Sequence, residues 1–184
     1  MPLTLIKETG AGLVDANTYA DVADGDAYHA GHLYASAWTA ATADQKAVAL
    51  VMATRLIDAE FQFNGTRSQS LQALQWPRTN CLDPDKAPGL VFTSLSLLDP
   101  FVPFSIVPKA LVQATCEMAR ELLVADRTAA PVGEGLKYYN QSGTQTGYDK
   151  SDRRPIISPV AQALLDKFGS LVAGKSGAVR LVRT

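Results

Sequence analysis

Apolar positions recur at helical spacing along most of the chain. From Thr42, the residues Ala47, Leu50, Val51, Thr54, Ile57 and Phe61 fall on one face, while Lys46, Arg55 and Asp58 point elsewhere. Thr42 followed three positions later by Gln45 is a capping box, so it marks the helix start, and Asn64-Gly65 closes the segment. A second stripe, Leu111, Thr115, Met118, Leu122 and Ala125, is widened by Val112, Ala119 and Leu123. Its width predicts a helix contacted on more than one side, the centre of the core, with Pro108 as its first residue. Asp21, with Asp24 three positions on, opens an earlier helix. Acids Asp24 and Asp26 sit in its positive first turn, and it runs to about His29 or Ala30, before Gly31. Ser158-Pro159 pairs an N-cap with a proline at the first helical position. Val160, Ala161, Leu164, Leu165 and Phe168 then form a short apolar face, closed by Gly169.

Between these helices the pattern breaks. Residues 64–107 hold Pro77, Pro84, Pro88, Pro100 and Pro103 and read as a long irregular connection, either functional or packed by its own aromatics Trp76, Phe92, Phe101 and Phe104. Pro77 directs Trp76 into an extended conformation. Residues 131–157 are polar and rich in glycine and tyrosine, with Gln141-Ser142-Gly143 as the tip of a protruding hairpin. Residues 170–184, with Val179, Leu181 and Val182, read as an extended arm. The expected fold is mainly α: a small bundle of about four helices forming one domain over 1–169, then the arm. That arm cannot bury enough apolar surface alone, so it is expected to be ordered only on a partner or a neighbouring copy.

Composition agrees with a folded domain. Apolar residues make up 47% of the 184 and charged residues 19%, which excludes general disorder. No run of 18 uncharged apolar residues predicts a membrane span. Residues 1–8 lack the basic start and apolar stretch of a secretory leader, and Cys81 and Cys116 could form at most one disulfide. The expectation is a soluble protein of a reducing compartment. The net charge of −1 conceals an asymmetry. Residues 1–149 carry 10 basic and 16 acidic side chains, net −6, whereas residues 150–184 carry 7 against 2, net +5. A tail of opposite sign to its body suits a partner, a polyanion or the acidic face of another copy, or is simply a solvated basic end.

Catalytic signals are missing. Gly169 to Ser176 matches the phosphate-loop pattern, but it follows a helix, and only eight residues remain after it for the helix that such a loop needs. His29 and His32, beside Asp26, have no third ligand signposted and read as a surface pair. Asp83-Pro84-Asp85 is too short for a calcium loop. No serine or cysteine has a nucleophile setting, and Cys116 reads as a small core residue. The expectation is a non-enzyme without metal or cofactor. Basic–aromatic interleaving appears at Trp76-Pro77-Arg78 and between Tyr138 and Tyr148, a weak mark of single-strand binding. The favoured reading is structural: Trp76 packs in the core, Arg78 pairs with an acid or a carbonyl, and Tyr138, Tyr139 and Tyr148 line a contact with another subunit or a tail-side protein.

Several segments, in order, resemble one family. They are Ala16-Asn17-Thr18-Tyr19-Ala20-Asp21, Asp26-Ala27-Tyr28, Trp38, Ala53 to Asp58, Phe63-Asn64-Gly65, Gln72 to Arg78, Val107-Pro108-Lys109-Ala110 and Ala114 to Leu123. Together they resemble the head–tail connector (adaptor, or head-completion) proteins of tailed phages, some of which are labelled DnaT-like single-stranded-DNA-binding proteins. The resemblance spans about residues 16–125 and returns at the Pro159-to-Phe168 helix. It implies a virion protein, made in the host cytoplasm, that assembles as a ring of about twelve copies at the head–tail junction. It further implies that Lys175, Val179, Arg180, Leu181, Val182 and Arg183 of the arm dock on the portal protein. The other end would receive the tail or a neck protein, and genomic double-stranded DNA would pass through the ring unread. The alternative is a single-stranded-DNA binder.

Overall fold

The computed structural model describes residues 3–86, 100–129, 138–141, 144–147 and 155–172. Among them are five helices: α1 (Val22–His29), α2 (Ser36–Ala40), α3 (Ala43–Glu60), α4 (Lys109–Val124) and α5 (Pro159–Leu165). Six short strands accompany them: β1 (Phe61–Phe63), β2 (Thr66–Arg67), β3 (Arg78–Thr79), β4 (Tyr138–Gln141), β5 (Thr144–Gly147) and β6 (Gly169–Leu171). The strands form three separate antiparallel pairs, β1–β6, β2–β3 and β4–β5. The fold is therefore a helical core braced by small ladders, rather than the plain bundle of about four helices that periodicity predicts. None of the described helices is long and apolar enough to cross a membrane.

Caps fix the helix starts. The Asp21 carboxylate accepts from the Asp24 amide, and Asp24 accepts from the Asp21 amide, both at 2.8 Å. Thr42 and Gln45 make the same reciprocal pair at the head of α3. Ser158 caps α5 through the Ala161 amide, with Pro159 behind it. The two reciprocal pairs each satisfy two amides that the helix cannot, and Ser158 satisfies one. Pro108 caps α4 from outside, rather than opening it.

Helix α4 is the hub. It packs against α1, α2, α3 and α5, and buries Leu111, Ala114, Thr115, Cys116, Met118 and Ala119. Burying a Leu or Met side chain contributes roughly 1.5–3 kcal/mol, so this helix anchors the core. Thr115 returns its hydroxyl to the Leu111 carbonyl at 2.9 Å, which lets a polar residue sit there. Helix α2 lies just before Thr42, and its central residue, Trp38, is buried in the core.

The expected loop over 64–107 contains β2 and β3, paired Thr66↔Thr79 and Arg67↔Arg78. Gly65 turns between β1 and β2 at φ +75, where a Cβ would lie 2.2 Å from the Thr79 carbonyl oxygen. Of the residues expected to form an extended arm, 170 to 172 are described, and 173–184 lie outside the described residues. Gly169 does not simply close a helix, because Gly169, Ser170 and Leu171 pair with Phe63, Gln62 and Phe61, and the Val172 amide bonds the Glu60 carbonyl at 2.8 Å. The edge of β1 offers Gly169, Ser170 and Leu171 a ladder. The hairpin in 131–157 is present as β4 and β5, with Gln141 opposite Thr144.

Candidate functional site

The Trp76-Pro77-Arg78 segment was the sharpest basic–aromatic signal, so its placement matters most. Trp76 has no exposed surface and sits edge-on to Phe63 and Phe168, with ring centroids 5.9 and 6.0 Å away. Its backbone amide donates to the Tyr19 hydroxyl at 3.2 Å. That hydroxyl donates onward to Asp58 Oδ1 at 2.6 Å, and Asp58 Oδ2 accepts from the Gln75 amide at 3.0 Å. Burial pushes the Asp58 carboxyl up to about 6, although the Tyr19 and Gln75 hydrogen bonds pull the other way. Burial and the neighbouring Asp58 charge raise the Tyr19 phenol well above its ordinary value.

Arg78, only 5% exposed, is spent on carbonyl oxygens. Its Nε donates to Asn64 at 2.8 Å, and Nη2 donates to Gly65 at 2.7 Å and Phe63 at 3.3 Å. Nη1 donates to the Gln75 carbonyl and to Gln75 Oε1, at 3.1 and 3.0 Å. The guanidinium thus pins the β1–β2 turn to the tryptophan loop, and burial lowers its pKa. Trp76 and Arg78 are both turned into the interior.

A second polar assembly runs along α4 and escaped the sequence reading. Glu117, nearly fully buried, accepts from the Tyr28 hydroxyl at 3.0 Å and from Arg120, and lies 3.3 Å from His32 Nε2. Arg120 also bonds Glu121, which pairs with Arg127 at 2.9 Å. Arg127 holds the Pro155 and Ile156 carbonyls, both at 2.7 Å, and so ties α4 to the segment before α5. The available signal was a glutamate inside an apolar stripe, with an arginine three positions on. The expected surface histidine pair is corrected. His29 is buried against Trp38, with Nε2 3.2 Å from the Cys116 carbonyl oxygen, because the α1–α4 seam closes over it. Desolvation lowers its pKa. Asp26 instead serves Trp38 Nε1 and Lys46, at 2.8 and 2.7 Å. Among the described residues no three His, Cys, Asp or Glu side chains gather as a metal site. Cys116 is a buried core residue whose thiol burial pushes up to about 12.

The described exterior offers protein-like surfaces. Lys7, Lys46, Lys86, Arg120 and Arg127 each pair with an acid. The remaining exposed cations, Arg55, Arg67, Lys109 and Lys167, are spread over α3, β2, the start of α4 and the end of α5. Three loops are stitched together by the Ser68 hydroxyl on the Phe104 carbonyl, the Ala73 amide on the Leu13 carbonyl, and Gly10 against Ser105. They expose Val14, Leu71, Phe104 and Ile106. Leu33 and Tyr34, 85% and 74% exposed, form another apolar point. A groove of about 510 Å³ lies between the first half of α3 and the end of α4, lined by Val48, Met52, Leu122 and Leu123 and edged by Asp44 and Asp126.

The family described as "Putative DnaT-like ssDNA binding protein" matches residues 3–184. The chain belongs to this family. No curated protein and no solved structure matches it. The description of this DnaT-like family coincides with the single-stranded-DNA alternative and does not mention head–tail connectors. Of the residues singled out in the DnaT-like chain, Trp76, Pro77 and Arg78 come together in the interior. Tyr138 and Tyr139 lie in β4, but their side chains are outside the described residues, as are Tyr148 and the whole of Lys175, Val179, Arg180, Leu181, Val182 and Arg183.

Proposed function

We propose that this DnaT-like chain is a structural protein of a tailed-phage particle. Copies form a ring that joins the portal to the tail or the next neck protein. The observation that carries the reading is the fate of Trp76 and Arg78: the pair best suited to stack bases and hold phosphates is consumed by packing and by backbone carbonyls. What the body offers instead is apolar points, such as Leu33-Tyr34 and the Val14–Leu71–Phe104–Ile106 surface, on a segment of net −6 charge. Such surfaces suit protein contacts and repel a phosphate backbone. The basic residues 150–184 supply the opposite charge for a partner. In this reading the arm docks on the portal, the tyrosine hairpin meets the tail-side protein or a neighbour, and DNA passes through the ring without being read.

Single-stranded DNA binding is the second reading, and the family description favours it. Its natural seat is Tyr138, Tyr139 and Tyr148 with the basic C-terminal segment. Two measurements separate the readings. Electron microscopy and sedimentation of the protein mixed with DNA-filled, tailless heads should show rings at the portal. Fluorescence anisotropy with short oligonucleotides should show no steeply salt-dependent affinity. Tight, salt-sensitive oligonucleotide binding without rings overturns the connector reading.

A further inference from the structure

We infer that the groove between α3 and α4 is the resting berth of the chain's own C-terminal segment, Ala173 to Thr184. Three observations lead there. The first is direction. Strand β6 runs antiparallel to β1, which follows directly on α3, and the Val172 amide bonds the Glu60 carbonyl. The chain therefore leaves the described body beside Glu60, at the C-terminal end of α3, running in the sense opposite to β1. The second is reach. From Glu60 back to Asp44 is about 24 Å at 1.5 Å per residue. Twelve residues, 173 to 184, span up to about 40 Å when extended, so the segment covers the whole groove from its point of exit.

The third observation is complementarity. The groove is apolar at Val48, Met52, Leu122 and Leu123, and its edges carry Asp44 and Asp126. The segment brings Val179, Leu181 and Val182 together with Lys175, Arg180 and Arg183, and no acid. Arg55 is the one exposed cation on α3 between exit and groove, and the residues that would pass it, Ala173 and Gly174, are small and uncharged. Val48 is 56% exposed, so an occupant would cover apolar surface that the described residues leave in water. The berth stands on this geometry alone. Its consequence rests on the connector reading: an arm held on its own body cannot engage a portal until it is released.

The test uses the full chain without any portal, so its failure is distinct from failure to form rings on heads. A nitroxide is attached to Thr184→Cys, the native Cys81 and Cys116 being buried. Methyl signals of Val48, Met52, Leu122 and Leu123 should be lost, while those of Val14 and Leu71 persist. Adding Asp44→Lys and Val48→Arg, both at exposed positions, should restore the Met52, Leu122 and Leu123 signals while the circular dichroism spectrum stays that of the folded protein. Unbroadened groove methyls overturn the inference. So does broadening that appears only between a spin-labelled copy and a separate isotope-labelled copy, since the occupant would then be a neighbour's arm.

Discussion

The Tyr19 hydroxyl lies 2.6 Å from Asp58 Oδ1, so a residue of the N-terminal segment and one on α3 share a proton-donating contact inside the protein. The same oxygen accepts from the Trp76 amide. One phenol thus joins three parts of the chain that are remote in sequence. Tyr19→Phe keeps the ring but strands the Trp76 amide and removes a donor from Asp58. The expected loss is about 1–3 kcal/mol, read as a lower urea midpoint at unchanged slope. An unchanged midpoint would show that the hydroxyl is not the tie.

Asp58 also sets a pH dependence. Its carboxyl holds a proton to about pH 6 in the folded protein, against 3.8 as the ordinary value. Between those values the folded state binds more protons than the unfolded state, so this residue makes the protein less stable as pH rises from about 4 to about 6. The loss is on the order of 2–3 kcal/mol. Asp58→Asn removes the dependence, so the stability difference between wild type and variant should shift against the wild type across that window. Carbon-13 titration of the Asp58 carboxyl should place its midpoint near 6. A midpoint near 4 would contradict the burial argument.

Trp76 and Arg78 should behave as core residues. Trp76→Ala is expected to cost about 3–5 kcal/mol, as large cavities do. Arg78→Lys is expected to cost about 2–4 kcal/mol, because one ammonium cannot span the carbonyls that the guanidinium fork reaches. A Trp76→Ala protein with wild-type melting and lost oligonucleotide binding would return Trp76 to the single-strand reading.

Gly25 tests the α1–α2 contact. A Cβ there would come within 2.3 Å of the Trp38 ring, so the indole would have to leave Asp26 and Lys46. Gly25→Ala should improve helix propensity yet cost a net of about 1–3 kcal/mol from overpacking. Thermal melting with tryptophan fluorescence checks both the loss and the movement of Trp38.

Two truncations locate the true start of the arm. Ending the chain after Gly169 removes Ser170 and Leu171 from the β1 ladder and the Val172 bond to Glu60, and should cost about 1–3 kcal/mol. Ending it after Val172 should abolish portal docking and lower melting less than ending it after Gly169 does, because the β1 ladder is kept. Equal melting of the two would put the arm's start back at Ser170.

The features legible in the sequence are those made between near neighbours. Asp21 with Asp24, Thr42 with Gln45 and Ser158 with Ala161 complete their hydrogen bonds within three positions, so no other part of the chain is needed to recognise a helix start. The Tyr138–Gly147 hairpin and the wide apolar face of α4 are local in the same sense. The role of Tyr19 is not, since its partners Asp58 and Trp76 are 39 and 57 positions away. Nor is the burial of His29, which depends on a carbonyl of α4 and the indole of Trp38. The pairing of β6 with β1 likewise needed α5 to carry Gly169 back beside Phe63. A local hydrogen bond is dictated by residue type and spacing, whereas a buried polar partner is decided by which faces the folded chain presses together. That is why residue types alone could favour a structural role for Trp76-Pro77-Arg78, while its partners Tyr19, Phe63, Asn64 and Phe168 were decided only by the tertiary structure.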